Sequence, residues 1–515
     1  MRQFIKQSKK IYYYYIMRKK HLLAFGKLCG FVAITTGAFM FVSCAQDGFD
    51  ENEQFGAKVR NAQLESPKEF TLTASADGKK QTIVWPVVYG ASGYQVTLYD
   101  ASNMSVALTD SLVEGCTVTL DREEDVNYVL KILAKGNASL GNSDASEATQ
   151  FTFSTFTPTF KTIPAGSDLN EWFAANPVPE DSVGKMLNFD LEGGAEYTVS
   201  GTLDFDKFSV TLRSTSKTSH AKIVYTSTES SITTTASMNI KYLDFDCKGM
   251  DASHGVFAFS KESTVPASTT LTDAPYAWEG PYIKDPIAIT NCKFDNVGGY
   301  FFWDNQVKTF AETVLVDNCV VHLTPEKAIG GGVFWTNKAG HINNLTVSNS
   351  TFWESDDCVG DYKYFYQAGM ATGQSLYVKD SPEQKAATNS INYLNSTFYH
   401  IAWNNGQWGN YNGMQSKSYS YWIMKNCIFY DCSTSGSVPR RFLHGRANQP
   451  HAEFANNTYM KADGTFQDPQ NYDVSGTIIE ADPQFANPSS GDFHISGAEQ
   501  VARKTGDPRW LPGAE

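Results

Sequence analysis

From about residue 187 the chain is built of short runs in which apolar and polar positions alternate, and the runs recur. Each recurring run ends in Asn followed by a small residue: Asn291 and Cys292, Asn318 and Cys319, Asn349 and Ser350, Asn395 and Ser396, Asn426 and Cys427, Asn456 and Asn457. A run of the same kind ends at Cys247. Taking 247, 292, 319, 350, 396, 427 and 457 as equivalent gives steps of 45, 27, 31, 46, 31 and 30 residues. A period near thirty, with two half-coil insertions, predicts a solenoid, because one short strand cannot bury its own apolar face and must stack on its neighbours. Asn accepts the backbone angles of a sharp corner, and its amide can bond to the same Asn one coil away. Cys and Ser are small enough to stack inside that corner, so Cys247, Cys292, Cys319 and Cys427 are expected to form a buried ladder without disulfides. The expected fold class is all-β, with a right-handed parallel β-helix over residues 186–497 and a tail at 498–515.

Residues 65–157 alternate with period two in shorter strands separated by Gly, Asp and Asn, which predicts an antiparallel β-sandwich. The order of Trp85, Tyr94 with Val96, and Tyr128 resembles a fibronectin type III module, and that resemblance implies a core Trp and a spacer role. Between the two regions, residues 158–185 are expected to hold a linker and a short capping helix. Ser167 or Asp168 would cap its start, Pro177 would stop it, and Leu169, Trp172 and Phe173 would close the solenoid's open end.

A second run follows each Asn corner, at residues 256–259, 300–305, 333–337, 364–366 and 441–444. Trp303 and Trp335 lie 32 residues apart, one coil, so they are expected to stack on one sheet with Phe302 and Phe334 pointing the other way. Exposed aromatics along a groove grip the C–H faces of sugar rings. Trp303, Trp335, Trp403, Trp408, Arg441 and Arg446 are therefore the candidate glycan contacts, with the loop from Trp403 to Trp408 expected to be the most exposed. Two insertions, residues 261–284 and 362–389, should project from one face and carry Tyr276, Trp278, Tyr282, Tyr362, Tyr364 and Tyr366.

Asp356 and Asp357 form an acidic pair similar to the paired-Asp motif of polygalacturonase-type hydrolases, in which two carboxylates activate water and protonate the leaving oxygen. The Gly-His-Gly and Arg-x-Lys elements of that motif do not follow. Asp356, Asp357 and Asp361 could instead gather Ca²⁺, a cation that needs several oxygens. Arg440 and Arg441 are the candidate partners of these acids in catalysis, and Arg can also hold a sugar carboxylate bidentately. No catalytic set is complete, so binding is the leading expectation, ahead of a polysaccharide lyase or hydrolase and of a structural or adhesive envelope protein.

The composition changes this picture at the N-terminus. The first 44 residues hold eight Lys or Arg and no acid, then an apolar stretch, then Ser43 and Cys44. That order is an export signal, and Phe41 to Cys44 resembles a lipobox, which implies lipidation of Cys44. Met17 is the expected start of translation. Setting aside those eight basic residues leaves 34 basic against 55 acidic residues, a net charge of −21, where the whole sequence carries −13. Such a charge opposes nucleic-acid binding. The seven remaining cysteines are odd in number and lack a close pair, which argues against a zinc site. Residues 45–64 form an acidic tether similar to those of outer-surface lipoproteins.

The closing segment around residues 479–495, with Gly506 to Trp510, completes a wider resemblance. Taken whole, the chain resembles Bacteroides surface lipoproteins in which a fibronectin-like module precedes a pectate-lyase-like β-helix domain of unknown function. The resemblance implies an outer-membrane lipid anchor, a polysaccharide ligand (pectin-like by analogy of fold) and a SusC/SusD-type transporter as neighbour.

Overall fold

The computed structural model describes residues 59–513 apart from 76–79, 267–279, 338, 370–387, 412–413 and 415–418. The expected export signal, Cys44 and most of the acidic tether lie outside the described residues, as do Tyr276 and Trp278. The chain divides into two compact units, with the boundary after Thr157.

The first unit is an antiparallel sandwich. One sheet orders the strands Thr71–Ala74, Lys80–Val84 and Thr117–Asp121. The other orders Thr109–Val113, Ala91–Asp100, Asn127–Gly136 and Thr149–Ser154. Period-two alternation sends Ile83, Val96, Leu98, Leu130 and Ile132 inward. Trp85 is buried edge-on against Tyr94, at 5.3 Å between centroids, and Tyr94 accepts the Val88 N–H. Tyr128 opens its strand with its hydroxyl accepting the Glu123 N–H, which ties the strand to the loop before it.

The second unit is a parallel β-helix. Each coil contributes a strand to three parallel sheets, here called sheets 1, 2 and 3 in the order the chain visits them. Inside sheet 1 the stack runs Val210, Met238, Ile287, Val314, Leu345, Ile391 and Trp422. Inside sheet 2 it runs Phe245, Phe294, Val321, Phe352, Phe398, Phe429 and Tyr459. The phenylalanines of sheet 2 are face-stacked in places, as with Phe245 and Phe294 at 4.7 Å.

The corner between sheets 1 and 2 is the Asn position. Asn291, Asn318, Asn349, Asn395, Asn426 and Asn456 all adopt left-handed backbone, with φ between 46° and 55°. Their amides bond along the axis: Asn318 to Asn291 at 2.6 Å, Asn395 to Asn349 at 3.2 Å, Asn426 to Asn395 at 2.9 Å and Asn456 to Asn426 at 3.0 Å. The row breaks once, where Asn349 donates to Asp317 and Asn318 accepts from Arg509. Inside the corner stack Cys292, Cys319, Ser350, Ser396, Cys427 and Asn457, all buried; the cysteines are free thiols.

Cys247 does not belong to this row. Met238 pairs with Ile287 and Asp244 with Lys293, so the equivalents of Asn291 and Cys292 are Tyr242 and Leu243. Tyr242 itself takes the corner conformation, with φ 57°. Cys247 is buried beyond the end of its sheet 2 strand.

Lys161–Ile163 is already the edge strand of sheet 1, so the solenoid begins within the stretch read as a linker. The helix Leu169–Ala175 is capped by Asp168, whose carboxylate accepts the Glu171 N–H at 3.1 Å. It packs Phe173 on Phe189 and Phe205 and so closes the first coil. Far along the chain, Phe485–Asn487 and Asp492–Ile495 form a hairpin that, with Trp510, lies on the outer face of sheet 2. This strap covers Trp353, Tyr399 and Tyr430, and Asp507 is buried where it accepts the Thr351 hydroxyl.

Candidate functional site

Two of the three outer faces are committed. Sheet 2 is charged in its early coils, where Lys222 meets Asp246, His220 meets Asp244 and Lys293 meets Asp295, and is sealed by the strap in its later ones. Sheet 1 presents short polar side chains joined across coils, such as Asn344 with Ser390 and Asn392 with Thr346. Sheet 3 is different.

Sheet 3 contains Gly255–Phe259, Tyr300–Trp303, Ile329–Thr336, Tyr362–Ala368 and Gln407–Tyr411. Its register aligns Ala258, Trp303, Trp335, Gln367 and Asn410 in one column. The adjoining column, with Phe257, Phe302, Phe334 and Tyr366, is fully buried. The two tryptophans therefore point away from the core, and, sharing one sheet as their spacing predicts, they stack at 6.4 Å between centroids and 11° between planes. Tyr300 lies against both, 4.6 Å from Trp335. Trp303 is 9% exposed and Tyr300 7%, and Trp335 is the most open of the three.

Glycines make room for these rings. A Cβ on Gly331 would stand 2.8 Å from the Trp335 ring and 2.9 Å from that of Tyr300. One coil further, Gln367 continues the column, then the half-buried Asn410. A second polar pair, Tyr364 and Gln407, lies beside them. At strand spacings near 4.8 Å, Trp303 to Asn410 spans about 14 Å.

In the next coil the strand is replaced by the short helix Val438–Phe442, which packs beside Gln407–Tyr411. The sequence pattern predicts a strand at 441–444. Pro439 lacks the N–H that a ladder needs and sits readily in the first turn of a helix. Arg441 is half-buried, with its Nε donating to the Ser435 carbonyl at 2.6 Å. Burial, with Arg440 beside it, lowers its pKa from the ordinary value, and the phenols of Tyr364 and Tyr472 face it. His444 accepts the Tyr411 N–H on Nδ1 at 3.2 Å, and burial with Arg446 and Arg441 nearby lowers its pKa as well.

Several expected site residues are placed otherwise. Trp408 is fully buried, stacked on Phe365 at 4.4 Å, because the strand opens at Gln407 and its alternation turns Trp408 inward. Trp403 is half-buried rather than a free plate: its ring lies on His400 at 4.6 Å and its Nε1 donates to Glu354 at 3.1 Å. Tyr362 and Tyr366 belong to the core of sheet 3, so the second insertion begins only after Ala368.

The three acids proposed for Ca²⁺ do not converge. Asp356 accepts the Tyr399 hydroxyl at 2.7 Å, on the side of sheet 2, and Asp357 is exposed. Asp361 is buried and turned onto the backbone N–H groups of Tyr362 and Asn404, each at 2.7 Å. Among the described residues no three His, Cys, Asp or Glu side chains gather as a metal cage. Arg441 has no ion pair with Asp356 or Asp357; it lies in the place of a sheet 3 strand, two coils further on.

The same turn hides a carboxyl pair that sequence reasoning missed. Glu354 is fully buried, and burial with Asp361 nearby raises its pKa well above the ordinary value. Burial lifts Asp361 to about 6. Glu354 is thus the acid of the Trp403 contact, and nothing in a run of Glu, Ser, Asp and Asp marks one member as interior. Gln367, by contrast, was within reach: continuing the step of 32 from Trp335 lands on it, whereas Asn410 lies 43 residues further and off that step.

Comparison with known proteins gives three consecutive family matches, each to a domain of unknown function: DUF4992 over residues 17–194, DUF4957 over 195–355 and DUF5123 over 391–510. No curated protein matches in sequence. Among solved structures, the first unit is similar to the fn3 domain of human collagen alpha-1(XX) chain, at 21% identity and TM-score 0.17, covering 21% of this chain and 95% of that one. The solenoid is similar to pectate lyase PelI from Erwinia chrysanthemi, at 11% identity and TM-score 0.22, covering 69% of this chain and 88% of that one. It is similar as well to the PL6 family alginate lyase AlyGC, at 12% identity and TM-score 0.31, covering 64% of this chain and 45% of the other, less than half its length. At such identities the likeness concerns fold alone.

Proposed function

We propose that this protein binds an extended extracellular polysaccharide along the outer face of sheet 3. The observation that carries the reading is the outward column Trp303, Trp335, Gln367 and Asn410, one residue per coil, with Tyr300 packed into its start. Stacked aromatics offer an apolar surface to the C–H face of a sugar, and side-chain amides beyond them supply donors and acceptors for hydroxyls. A linear polymer lying parallel to the solenoid axis would meet them in succession. The lipobox-like sequence at Cys44 supports a lipid anchor in the outer membrane, with the sandwich as spacer and a SusC/SusD-type transporter as neighbour.

Gel retardation across a panel of polysaccharides tests the binding. Trp335→Ala should weaken retardation by the bound polymer, and Trp303→Ala should weaken it less, since an aromatic contact of this kind is worth about 0.5–1.5 kcal/mol beyond its burial. Retardation unchanged in the double variant would remove sheet 3 as the binding face. Membrane fractionation of Cys44→Ser tests the anchor; undiminished retention in the membrane fraction would refute it.

A further inference from the structure

We infer that the end of sheet 3 at the helix Val438–Phe442 is an anion subsite, where Arg441, Arg440 and His444 read a carboxylate or sulfate group on a sugar. The inference rests on the glycan-binding reading of that face and adds the chemical class of the ligand.

The arginines of the solenoid differ in their partners. Arg213, Arg503 and Arg509 each meet a carboxylate, at 2.7, 3.5 and 2.9 Å. Among the described residues Arg440 and Arg441 form no ion pair, in a chain whose net charge is −13. Two adjacent guanidinium groups that repel each other, with acids abundant elsewhere, are a local electrostatic imbalance that an anion would relieve.

Arg441 is also held in place. Its Nε bond to the Ser435 carbonyl fixes the plane of the guanidinium and leaves the terminal nitrogens to donate. Gly436, at φ 105°, lies directly beneath it; a Cβ there would stand 2.8 Å from Nε. That backbone conformation and that clearance both require glycine. A long side chain so restrained loses little further freedom on binding a ligand.

His444 is oriented too. Because Nδ1 accepts the Tyr411 N–H, the neutral ring carries its proton on Nε2 and presents a donor. The Tyr472 hydroxyl, bonded to the Gly445 carbonyl at 3.4 Å, closes the same corner. The groups around Arg441 with donors to offer are two guanidinium groups and an imidazole N–H; the Tyr472 hydroxyl already donates to the Gly445 carbonyl. Such a set, with two positive charges in it, suits an anion.

The test compares the purified chain and its Arg441→Gln, Arg441→Lys and Arg440→Gln variants on polygalacturonate, its carboxyl-reduced form and a sulfated galactan. Wild type should prefer an acidic polymer over the reduced one. Arg441→Gln should lose that preference, a weakening of about tenfold to a hundredfold for loss of a charged hydrogen-bond pair, with the neutral polymer unaffected. Arg441→Lys should restore part of the affinity, less for a planar carboxylate than for a sulfate, since the bidentate fork is gone. Equal retention of acidic and reduced polymers by wild type would overturn the anion subsite and leave the glycan reading standing. If no polymer binds, the glycan reading falls, and thermal shift with free galacturonate or sodium sulfate decides the subsite alone. Sulfate stabilises folded proteins in general, so the readout is the difference between wild type and Arg441→Gln, and no difference with either anion overturns the inference.

Discussion

Asn395 sits in the middle of the corner row, and replacing it separates two reasons for an Asn at that position. Its amide donates to Asn349 at 3.2 Å and its carbonyl oxygen accepts from Asn426 at 2.9 Å. Its φ is 46°, in the left-handed region. Asn395→Gly removes both side-chain bonds, about 2 kcal/mol together, but keeps the backbone at ease. Asn395→Ala removes the same bonds and adds about 1–2 kcal/mol for a Cβ in left-handed backbone. The stiffer unfolded chain of Ala returns about 0.4–1 kcal/mol of this. Glycine, the smaller and more flexible residue, should thus be the milder change by roughly 1 kcal/mol. Urea unfolding followed by tryptophan fluorescence reports on the solenoid, because nine of the ten tryptophans follow residue 158. The shift in midpoint at constant slope gives the difference. An Ala variant as stable as the Gly variant would show that backbone conformation is not what selects Asn at the corner. Losses below about 0.5 kcal/mol in both would remove the axial amide row as a source of stability.

Burial places both Asp361 and Asp507 at about 6, above the ordinary 3.8. At these two sites the folded state keeps protons that the unfolded state has released, so each contributes stability that is lost as pH rises from about 4 to about 6, with a slope of at most about 1.4 kcal/mol per pH unit; Glu354, raised well above its ordinary value, acts in the same sense. His322, His341 and His444, all lowered by desolvation and His341 to about 3, act in the opposite sense up to about pH 6.5, as does Asp251 below about pH 4. The Asp361 share is the difference between wild type and Asp361→Asn, which should turn against the wild type as pH rises from about 4 to about 6; a difference that does not change with pH would contradict the assignment. Gly331→Ala should displace Trp335 and Tyr300, weaken polysaccharide retardation and cost about 1–3 kcal/mol through overpacking; wild-type binding would show that Trp335 is not the contact. Phe493→Ala should cost about 3–5 kcal/mol and raise binding of an apolar dye as the strap lifts from Trp353 and Tyr399; a stable variant without new dye binding would mean that the strap is held elsewhere.

The coil was legible because its corner chemistry repeats: Asn followed by a small residue specifies both a left-handed turn and a narrow interior. Where the pair changes to Tyr242 and Leu243, the same corner forms without its mark, and Cys247 was aligned in error for that reason. Which of the two sets of sheet 3 faces outward is not in the pattern, but that Trp303 and Trp335 share a column followed from period two and one 32-residue step. Trp408 did not, because a loop of Asn, Gly and Gln before it disguises where the strand begins and hence which way the ring turns. Asp356 and Asp361 are five residues apart yet serve opposite sides of one turn, which local composition does not encode. The helix at Arg441 replaces a strand through a single Pro, and the strap depends on contacts too distant in sequence for any periodic pattern to carry.

Those distant contacts bear on how the protein reaches its native state. Successive coils meet residues about thirty positions away and can zip together one after another. The Arg509 side chain must find Asn318, 191 positions earlier, and Asp507 must find Thr351, 156 positions earlier. Closing so large a loop is entropically costlier and slower than adding a coil. Refolding should therefore show rapid growth of the helical stack and a later step in which Trp353 loses contact with solvent, and during that delay an aromatic row stands open to self-association.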